Sequence, residues 1–506
     1  MCFRQSALVL IRPIMMVFCG LTLALLPLST VQSRDVTLEQ AIDLALNQSA
    51  RGDVIAGRQE VAEQNYFARR MNFLLPEISI QGNVPAYSSE ESYRFFGADP
   101  EKSLYKTRDL DFNSFIELKQ NLPVWGGTVT ATANLTRLDN QYPDTRYDSE
   151  SGFFVDELSN RGFFNFTLNQ QLFRPSGSKH ELNNTRDDLE VARMTKHEEQ
   201  ATMEKEVIQA FLGVLQYAVR QELYSDKLES ARLQARIDSM KLADGIVSEE
   251  DVLLSVSARL DAELENFEIT TEADEQRREL AILLDLSVTE QLNPIEPECI
   301  HLGDATRERF IAAWDRSVPI RKAEHLYERA KRSAMFAAAG HGLTGDLQAN
   351  YSFGRQKIET ERYDAAIGSR IGHDNDINTA GWGVKLQFKL PLWDGGAGAA
   401  AVKAARFEAE QARLEYDRER KKARAEITNL VNRLDVSYRR LQIIEKQIEL
   451  ARDKLDIAQE RHTDGQISML TFLESRIFYL ETKDRYLEEL KQNLVDGVEL
   501  RSKFTG

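Results

Sequence analysis

The sequence predicts an α+β membrane protein in which long coiled-coil helical hairpins adjoin antiparallel transmembrane β-strands, with an internal two-fold duplication. Three observations predict this class: a repeated Asp-Gly-x-x-Ser turn, two very long segments without proline, and several stretches that alternate apolar and polar residues. Helical periods of 3.6 residues and strand periods of 2 residues distinguish the two kinds of segment. We therefore interpret the 506-residue chain as two copies of one unit.

The duplication rests on the turn at residues 244–248, which recurs at residues 464–468. The first repeat is expected at residues 34–292, a linker at 293–303 and the second repeat at 304–506. A helix is predicted to open each repeat, from the capping box Thr37-Leu-Glu-Gln40 to about residue 73 and from residue 304 to about 338. The number of residues between corresponding positions of the two repeats is larger at their starts than at their ends. This difference predicts an insertion in the first repeat.

Alternation predicts four strands in the first repeat and two in the second. They are expected at about 77–87, 112–122, 128–137 and 162–173, and at about 345–355 and 381–391. A soluble half-buried sheet and a transmembrane barrel share this pattern, but barrel strands need about 9–11 residues. Strand length and faces rich in Asn, Gln and Lys favour the barrel. Residues 88–111, 138–161 and 356–380 are then expected to be long polar loops.

A long helical hairpin is predicted to close each repeat, at residues 176–288 and 398–504. Its first helix could span roughly 100 Å at about 1.5 Å per residue. In the second hairpin, apolar residues at three- and four-residue steps predict a coiled-coil seam of Leu434, Tyr438, Leu441, Ile444, Ile448, Ala451, Leu455 and Ala458. At the tips, Gly245 and Gly465 suit the left-handed conformation that ends a helix, and Ser248 and Ser468 can cap the next helix.

The first 33 residues predict a cleaved secretory signal peptide, because Arg4 and Arg12 precede an apolar run that ends in small and polar residues. An uncleaved anchor is the alternative. Without this segment the formal charge changes from −16 to −18, which disfavours nucleic acid as a partner. Cys299 is then the single cysteine, so neither a disulfide framework nor a thiolate metal site is expected.

The sequence predicts no enzymatic activity, and no catalytic, cofactor-binding or metal site. Gly340-His-Gly342-Leu-Thr-Gly345 matches the glycine pattern of dinucleotide sites, but it follows a predicted helix and precedes a predicted strand. Phosphate binding by this pattern needs the opposite order. The seven histidines are scattered along the chain and form no ligand cluster.

The order of helix, strands and long hairpin, given twice after a signal peptide, resembles the TolC-like outer-membrane efflux protein family over nearly all of the mature chain. The resemblance is carried by Leu75-Pro76-Glu-Ile-Ser-Ile, by Leu390-Pro391-Leu-Trp393-Asp394-Gly395-Gly396 and by the two hairpin turns. In the family these motifs lie where the chain enters and leaves the barrel. The resemblance therefore assigns that position to Pro76, Pro391, Trp393, Gly395 and Gly396.

The resemblance implies a homotrimer in the Gram-negative outer membrane, with a lipid-embedded β-barrel that continues into an α-helical tunnel across the periplasm. Family members are passive ducts. They act with a periplasmic adaptor (membrane fusion) protein and an inner-membrane ABC or proton-driven transporter, in efflux or type I secretion. The adaptor would dock at the hairpin tips, which contain Asp244, Gly245, Ser248, Asp464, Gly465 and Ser468. With the usual four strands per protomer, a trimer forms a 12-stranded barrel. The additional pair at 112–137 would raise the number to 18 strands if it joins the barrel wall.

In the family, acidic residues after the hairpin turns surround the closed end of the tunnel. Asp251 and Glu474 match two such gate positions, whereas Thr471 and Leu254 occupy the other two. Carboxylates from three copies would repel one another near the axis. The alternative is an ordinary acidic helix start in solvent. For the whole protein, the alternative is a periplasmic coiled-coil scaffold or adaptor with a soluble β domain.

Overall fold

The computed structural model describes residues 34–83, 86–95, 102–123, 125–144, 153–287 and 292–505. The predicted signal peptide lies outside these residues. The first half contains, in order, β1 (Arg34–Val36), α1 (Leu38–Gln48), α2 (Ala50–Leu74), β2 (Glu77–Gly82), β3 (Ala86–Phe95), β4 (Lys102–Asn121), β5 (Thr128–Pro143), β6 (Phe154–Leu172), α3 (Gly177–Ala243) and α4 (Glu249–Leu283).

The second half repeats most of this order. It contains β7 (Leu292–Pro294), α5 (Asp304–Ala312), a 3₁₀ turn (Trp314–Arg316), α6 (Val318–Gly340), β8 (Thr344–Asp364), β9 (Ser369–Lys389), α7 (Ala397–Thr463) and α8 (Met469–Ser502). Helices α3 and α7 each have 67 residues, and α4 and α8 have 35 and 34. Equal helix lengths support the duplication, which stays a prediction.

Each half opens with an interrupted helix, where the sequence predicted a continuous one. Ser49 is extended between α1 and α2, and its hydroxyl accepts a hydrogen bond from the Gly52 amide at 3.0 Å. Ser317 is extended before α6, and Pro319 lies in the first turn of that helix. The capping serine starts α2, whereas the break before α6 coincides with a proline, which is tolerated only in the first turn of a helix. The break therefore has a local cause in both halves.

The junction between the halves is ordered by strand pairing and by one buried amide. β1 pairs with β7 in parallel, so the predicted linker at 293–303 begins within a strand. Asn493 on α8 is fully buried; its Oδ1 accepts from the Ile300 amide at 2.7 Å, and its Nδ2 donates to the Ile300 carbonyl at 3.2 Å and to Ser437 Oγ at 2.9 Å. The linker is thereby attached to both α7 and α8.

The other strands form one antiparallel sheet in the order β2, β4, β5, β6, β8, β9. β3 continues β2 along the same edge of β4, because β2 pairs with residues 114–119 and β3 with residues 102–111. Seven strands thus occupy six positions. The strands extend into residues 88–111, 138–161 and 356–380, so the prediction of long loops there was wrong. Charged pairs such as Arg370 with Asp156, 2.7 Å apart, line these outer parts, where the ladder continues without apolar alternation.

Apolar side chains cover one face of the sheet at every strand position. One row consists of Ile80, Ile116, Ala133, Phe164, Phe353 and Ala380, and the next of Ile78, Leu118, Ala131, Phe166, Tyr351 and Trp382. A row on the opposite face consists of Ser79, Glu117, Thr132, Asn165, Ser352 and Gly381. The sheet is therefore amphipathic across its full width, with one apolar and one polar face.

The long helices pack side by side. α3 contacts both α4 and α8, and α7 contacts α8, which gives the order α4, α3, α8, α7. Close to the sheet the order is α2, α3, α6, α7. The predicted coiled-coil seam of α7 is buried at Leu434, Leu441, Ile444, Ala451 and Ala458. In the described part of the chain, none of the helices combines the length and apolar character that a membrane span requires.

Candidate functional site

The two hairpin tips have the same backbone geometry. Gly245 and Gly465 both have φ of +72°. Beyond each glycine, an amide bonds back to the preceding helix: Ile246 N donates to Lys241 O at 2.8 Å, and Gln466 N to Arg461 O at 2.8 Å. This Schellman pattern requires the left-handed conformation that glycine adopts without strain. The repeated glycine in the sequence therefore has a structural cause at both tips.

The helices after the tips begin with equivalent serine caps. Ser248 Oγ accepts from the Asp251 amide at 3.2 Å, and Ser468 Oγ accepts from the Thr471 amide at 3.2 Å. The return contacts differ. Asp251 Oδ2 accepts from the Ser248 amide at 3.0 Å and from its hydroxyl at 2.6 Å, whereas Thr471 Oγ1 lies 3.0 Å from Ser468 Oγ. The first tip thus carries a charged capping box and the second a neutral cap.

The two acidic gate candidates, Asp251 and Glu474, differ in their local contacts. Hydrogen bonds from the side chain and backbone of Ser248 lower the pKa of Asp251, so its carboxylate is ionised while it caps α4. Glu474 is exposed on the second turn of α8, and no hydrogen bond or ion pair of its side chain occurs within the described ranges. Asp251 has a structural role that accounts for its position, and Glu474 has none.

The predicted barrel boundary lies where helices meet strands. Pro76 stands between α2 and β2, and Pro391 follows β9. Gly395 and Gly396 have φ of +70° and +85° before α7. Trp393, between them and Pro391, is 89% exposed.

Asp394 caps α7 at this boundary. Its carboxylate accepts from the Gly396 amide at 2.9 Å and from the Gly398 amide at 2.6 Å, and these bonds lower its pKa. The Leu-Pro-Leu-Trp-Asp-Gly-Gly motif is therefore a strand exit followed at once by a capped helix.

Ion pairs connect the two hairpins, and the sequence did not predict them. Arg220 on α3 lies 2.7 Å from Asp484 on α8, and Lys227 lies 2.9 Å from Glu481. Nearer the tips, Asp226 is buried, with one oxygen 3.1 Å from Arg476 Nε; burial raises its pKa although Arg476 acts in the opposite direction. Their partners lie about 260 residues away in the sequence, so no local pattern indicates these pairs.

Exposed apolar stripes run along the two outermost long helices. On α7, Val436, Ile443, Leu450 and Ile457 are exposed at intervals of seven residues. On α4, Leu253, Leu260 and Phe267 are exposed at the same interval. The heptad spacing is a sequence signal that was available and was missed, because charged residues separate the members.

Potential ligand-binding chemistry is sparse. No group of three or more His, Cys, Asp or Glu side chains that could hold a metal ion occurs within the parts of the chain that the structure describes. Cys299 is a free, half-buried thiol whose pKa is raised by burial. The candidate functional features are therefore the exposed apolar stripes, the hairpin tips and the junctions between strands and helices.

Comparisons with known proteins agree with this architecture. Residues 312–502 match the family model described as outer membrane efflux protein. Comparison with curated proteins gives no match. Among solved structures, the chain is similar to the CmeC outer membrane channel of Campylobacter jejuni, with 14% identity, 92% of this chain and 85% of that chain covered, and a TM-score of 0.58.

Two further channels are similar in fold. The outer membrane protein VceC of Vibrio cholerae gives 16% identity, coverage of 93% and 96%, and a TM-score of 0.53. The MtrE outer membrane channel of Neisseria gonorrhoeae gives 14% identity, coverage of 93% and 89%, and a TM-score of 0.52. These comparisons confirm the resemblance: residues 312–502 match the outer membrane efflux protein family model, and the chain shares its fold with solved outer-membrane channels.

Proposed function

We propose that the protein is a passive export duct of the Gram-negative outer membrane. Three copies form a barrel in the membrane and a helical tunnel in the periplasm. The duct acts with a periplasmic adaptor and an inner-membrane ABC or proton-driven transporter, in efflux or type I secretion. The observation that carries the proposal is the pair of apolar stripes at opposite edges of the helical layer.

The stripes fit contact between copies. α4 and α7 are the outer helices of the order α4, α3, α8, α7, and Leu450 and Phe267 on them are 69% and 70% exposed. Apolar residues repeated every seven positions favour packing against a second helix in a left-handed coiled coil. If α7 of one copy packs on α4 of the next, both stripes are covered. This head-to-tail contact closes into a ring when the rotation between copies divides a full turn into equal parts and no shift along the axis accompanies it.

The sheet has the polarity that a membrane duct requires. Its apolar face includes large exposed side chains, such as Trp382 and Phe164. Its outermost strands, β2 with β3 and β9, each have one edge without a partner strand in the described sheet. Because the six positions alternate in direction, β9 of one copy runs antiparallel to β2 of the next. A closed wall then places the apolar face in lipid and the polar face in the lumen.

The hairpin tips lie at the ends of the 67-residue helices α3 and α7 that are remote from the sheet, and they are largely exposed. This exposure supports docking of the adaptor at the tips, around Gly245 and Gly465. Asp251, Glu474 and Thr471 then lie one to two turns from the tips, where they can form the gate of the tunnel. The unpartnered carboxylate of Glu474 favours this role more than the capping carboxylate of Asp251.

Cell fractionation followed by unheated gel electrophoresis tests the proposal. We expect the protein in the outer-membrane fraction, as trimers that become monomers on heating and that conduct ions in planar bilayers. A coiled-coil scaffold with a soluble β domain would instead be released without detergent and give no conductance. Monomers in the soluble periplasmic fraction would overturn the proposed duct.

A further inference from the structure

We infer that the hairpin of β4 and β5 belongs to the membrane wall, so that three copies close an 18-stranded barrel with a wide outer mouth. The second half of the chain has no counterpart of this hairpin, because β8 and β9 are its only strands in the large sheet within the described residues. The inference rests on the proposed trimeric duct and adds the size of solute that its mouth admits.

The first argument is that the faces of the sheet pass through the hairpin without interruption. Ile116 on β4 and Ala133 on β5 lie in register between Ile80 on β2 and Phe164 on β6, all on the apolar face. On the polar face, Glu117 and Thr132 lie between Ser79 and Asn165 in the same way. A hairpin that projected into water or into the lumen would have no need of an apolar face.

The second argument is a repeated motif at one end of the sheet. β4 is followed by Leu122-Pro123-Val124-Trp125-Gly126-Gly127, and β9 by Leu390-Pro391-Leu392-Trp393-Asp394-Gly395-Gly396. The two strands run in the same direction, so both motifs lie at the end of the sheet that adjoins the helices. Both tryptophans are strongly exposed, at 72% and 89%. Tryptophan is enriched at the boundary between membrane and water, which both strands would cross at this end of the sheet.

The third argument is that the hairpin turn is attached to the ends of the helices. Asn121 Nδ2 donates to the Asn72 carbonyl of α2 at 2.6 Å, and Ser178 Oγ of α3 donates to Asn121 Oδ1 at 3.4 Å. On the other side, Gln170 Nε2 of β6 donates to the Trp125 carbonyl at 2.6 Å. The turn is therefore held in line with the neighbouring strand ends and cannot fold away as a plug.

The fourth argument is that six strands match the width of the helices beneath them. Six strands spaced about 4.8 Å apart and tilted by about 40° occupy roughly 38 Å of barrel circumference. The four helices α2, α3, α6 and α7, at about 8–10 Å between axes, occupy roughly 36 Å. Four strands would occupy only about 25 Å. With this hairpin, the strands of one protomer occupy about the same circumference as its helices, so the barrel is no narrower than the helical tunnel.

The consequence is a barrel whose backbone diameter is about one and a half times that of a barrel with four strands per protomer at the same tilt. Eighteen strands give a backbone diameter of about 36 Å, and side chains that reach inward by about 5 Å leave an opening of roughly 25 Å. Twelve strands would leave roughly 14 Å. We infer that the outer mouth admits solutes of about 20 Å, the class of bulky polymers and small folded polypeptides.

Lipid quenching at matched positions tests whether the hairpin is in the wall. Single cysteines replace Ala133 on β5 and Phe353 on β8, which belong to one apolar row, and Thr132 and Ser352, which belong to one polar row. The background is the full chain with Cys299→Ser. Each variant is labelled with a bimane fluorophore and reconstituted in vesicles of dibrominated phosphatidylcholine.

We expect the labels at positions 133 and 353 to lose fluorescence to the same extent in brominated lipid, and those at 132 and 352 to respond only to aqueous iodide. Quenching at 353 without quenching at 133 would overturn the inference and leave the duct intact. Absence of lipid quenching at both positions would overturn the duct and the inference together. Ala131→Cys and Tyr351→Cys provide a second matched pair if either first variant fails to form trimers.

The width is tested by polymer exclusion in planar bilayers. Polyethylene glycol with a diameter of about 20 Å is added on the side of the membrane where the strands end away from the helices. A polymer of this size enters an opening of roughly 25 Å but not one of roughly 14 Å. We expect this polymer to lower single-channel conductance from that side. Conductance that is unchanged by it, but lowered by polymers of about 10 Å, would overturn the 18-stranded mouth.

Discussion

The apolar stripe on α7 gives a quantitative prediction for Leu450→Ala. Full burial of a leucine side chain stabilises by about 1.5–3 kcal/mol. Leu450 is 69% exposed in the single chain, so its burial against a second copy would contribute about 1–2 kcal/mol per interface. A closed trimer has three such interfaces. The variant should therefore weaken trimerisation by about 3–6 kcal/mol, or roughly 10²- to 10⁴-fold in the dissociation constant.

A dilution series of detergent-solubilised protein, read by unheated gel electrophoresis or mass photometry, measures this effect. Gln459→Ala, on an exposed position of the same helix opposite to Leu450, is the matched control and should dissociate like the wild type. Far-UV circular dichroism should be unchanged in both variants, because neither side chain belongs to the buried seam. If Leu450→Ala dissociates at the wild-type concentration, the stripe does not contact another copy and the reasoning fails.

Three further predictions concern buried, gate and capping residues. Asn493→Ala leaves the Ile300 amide and carbonyl without their partner and should lower the free energy of unfolding by about 2–5 kcal/mol; an unchanged denaturant midpoint would contradict it. Asp251→Asn and Glu474→Gln should each weaken cation block of single-channel conductance, and the gate assignment fails if both leave conductance and block unchanged. The folded pKa of Asp394 lies below its ordinary value of 3.8, so its contribution to stability is present above that pH and is lost as pH falls through the folded value. Thermal unfolding should accordingly show Asp394→Asn to be less stable than wild type at neutral pH, with a difference that shrinks as pH falls below 3.8 and disappears below the folded pKa; a difference that does not shrink in acid would argue against the cap.

Sequence patterns predicted the elements whose cause is local. The glycines and serines at the tips, and the alternating centres of the strands, are set by backbone conformation and by period. The outer ends of the strands were missed because their few apolar residues do not alternate regularly with polar ones. There the ladder is maintained by backbone hydrogen bonds and by pairs such as Lys357 with Asp374, 3.5 Å apart, which alternation does not reveal.

Contacts between segments that are distant in the chain could not be predicted from the sequence. The three-residue pairing of β1 with β7 is too short to give a periodic signal, and the partners of Arg220 and Asp226 lie on another helix. The role of Asp251 could have been predicted more fully, because Ser248-x-x-Asp251 has the spacing of a capping box. Its acidic side chain was instead weighed mainly as a gate.

The equal length of α3 and α7, at 67 residues each, restricts how such a chain can acquire insertions and deletions. Removing one residue from α7 turns the following part of its stripe by about 100° and shortens the helix by about 1.5 Å. Removing seven keeps the stripe in phase but raises one tip by about 10 Å relative to the other. Tolerated length changes should therefore come as multiples of seven, in both arms of a hairpin and in both halves of the chain together.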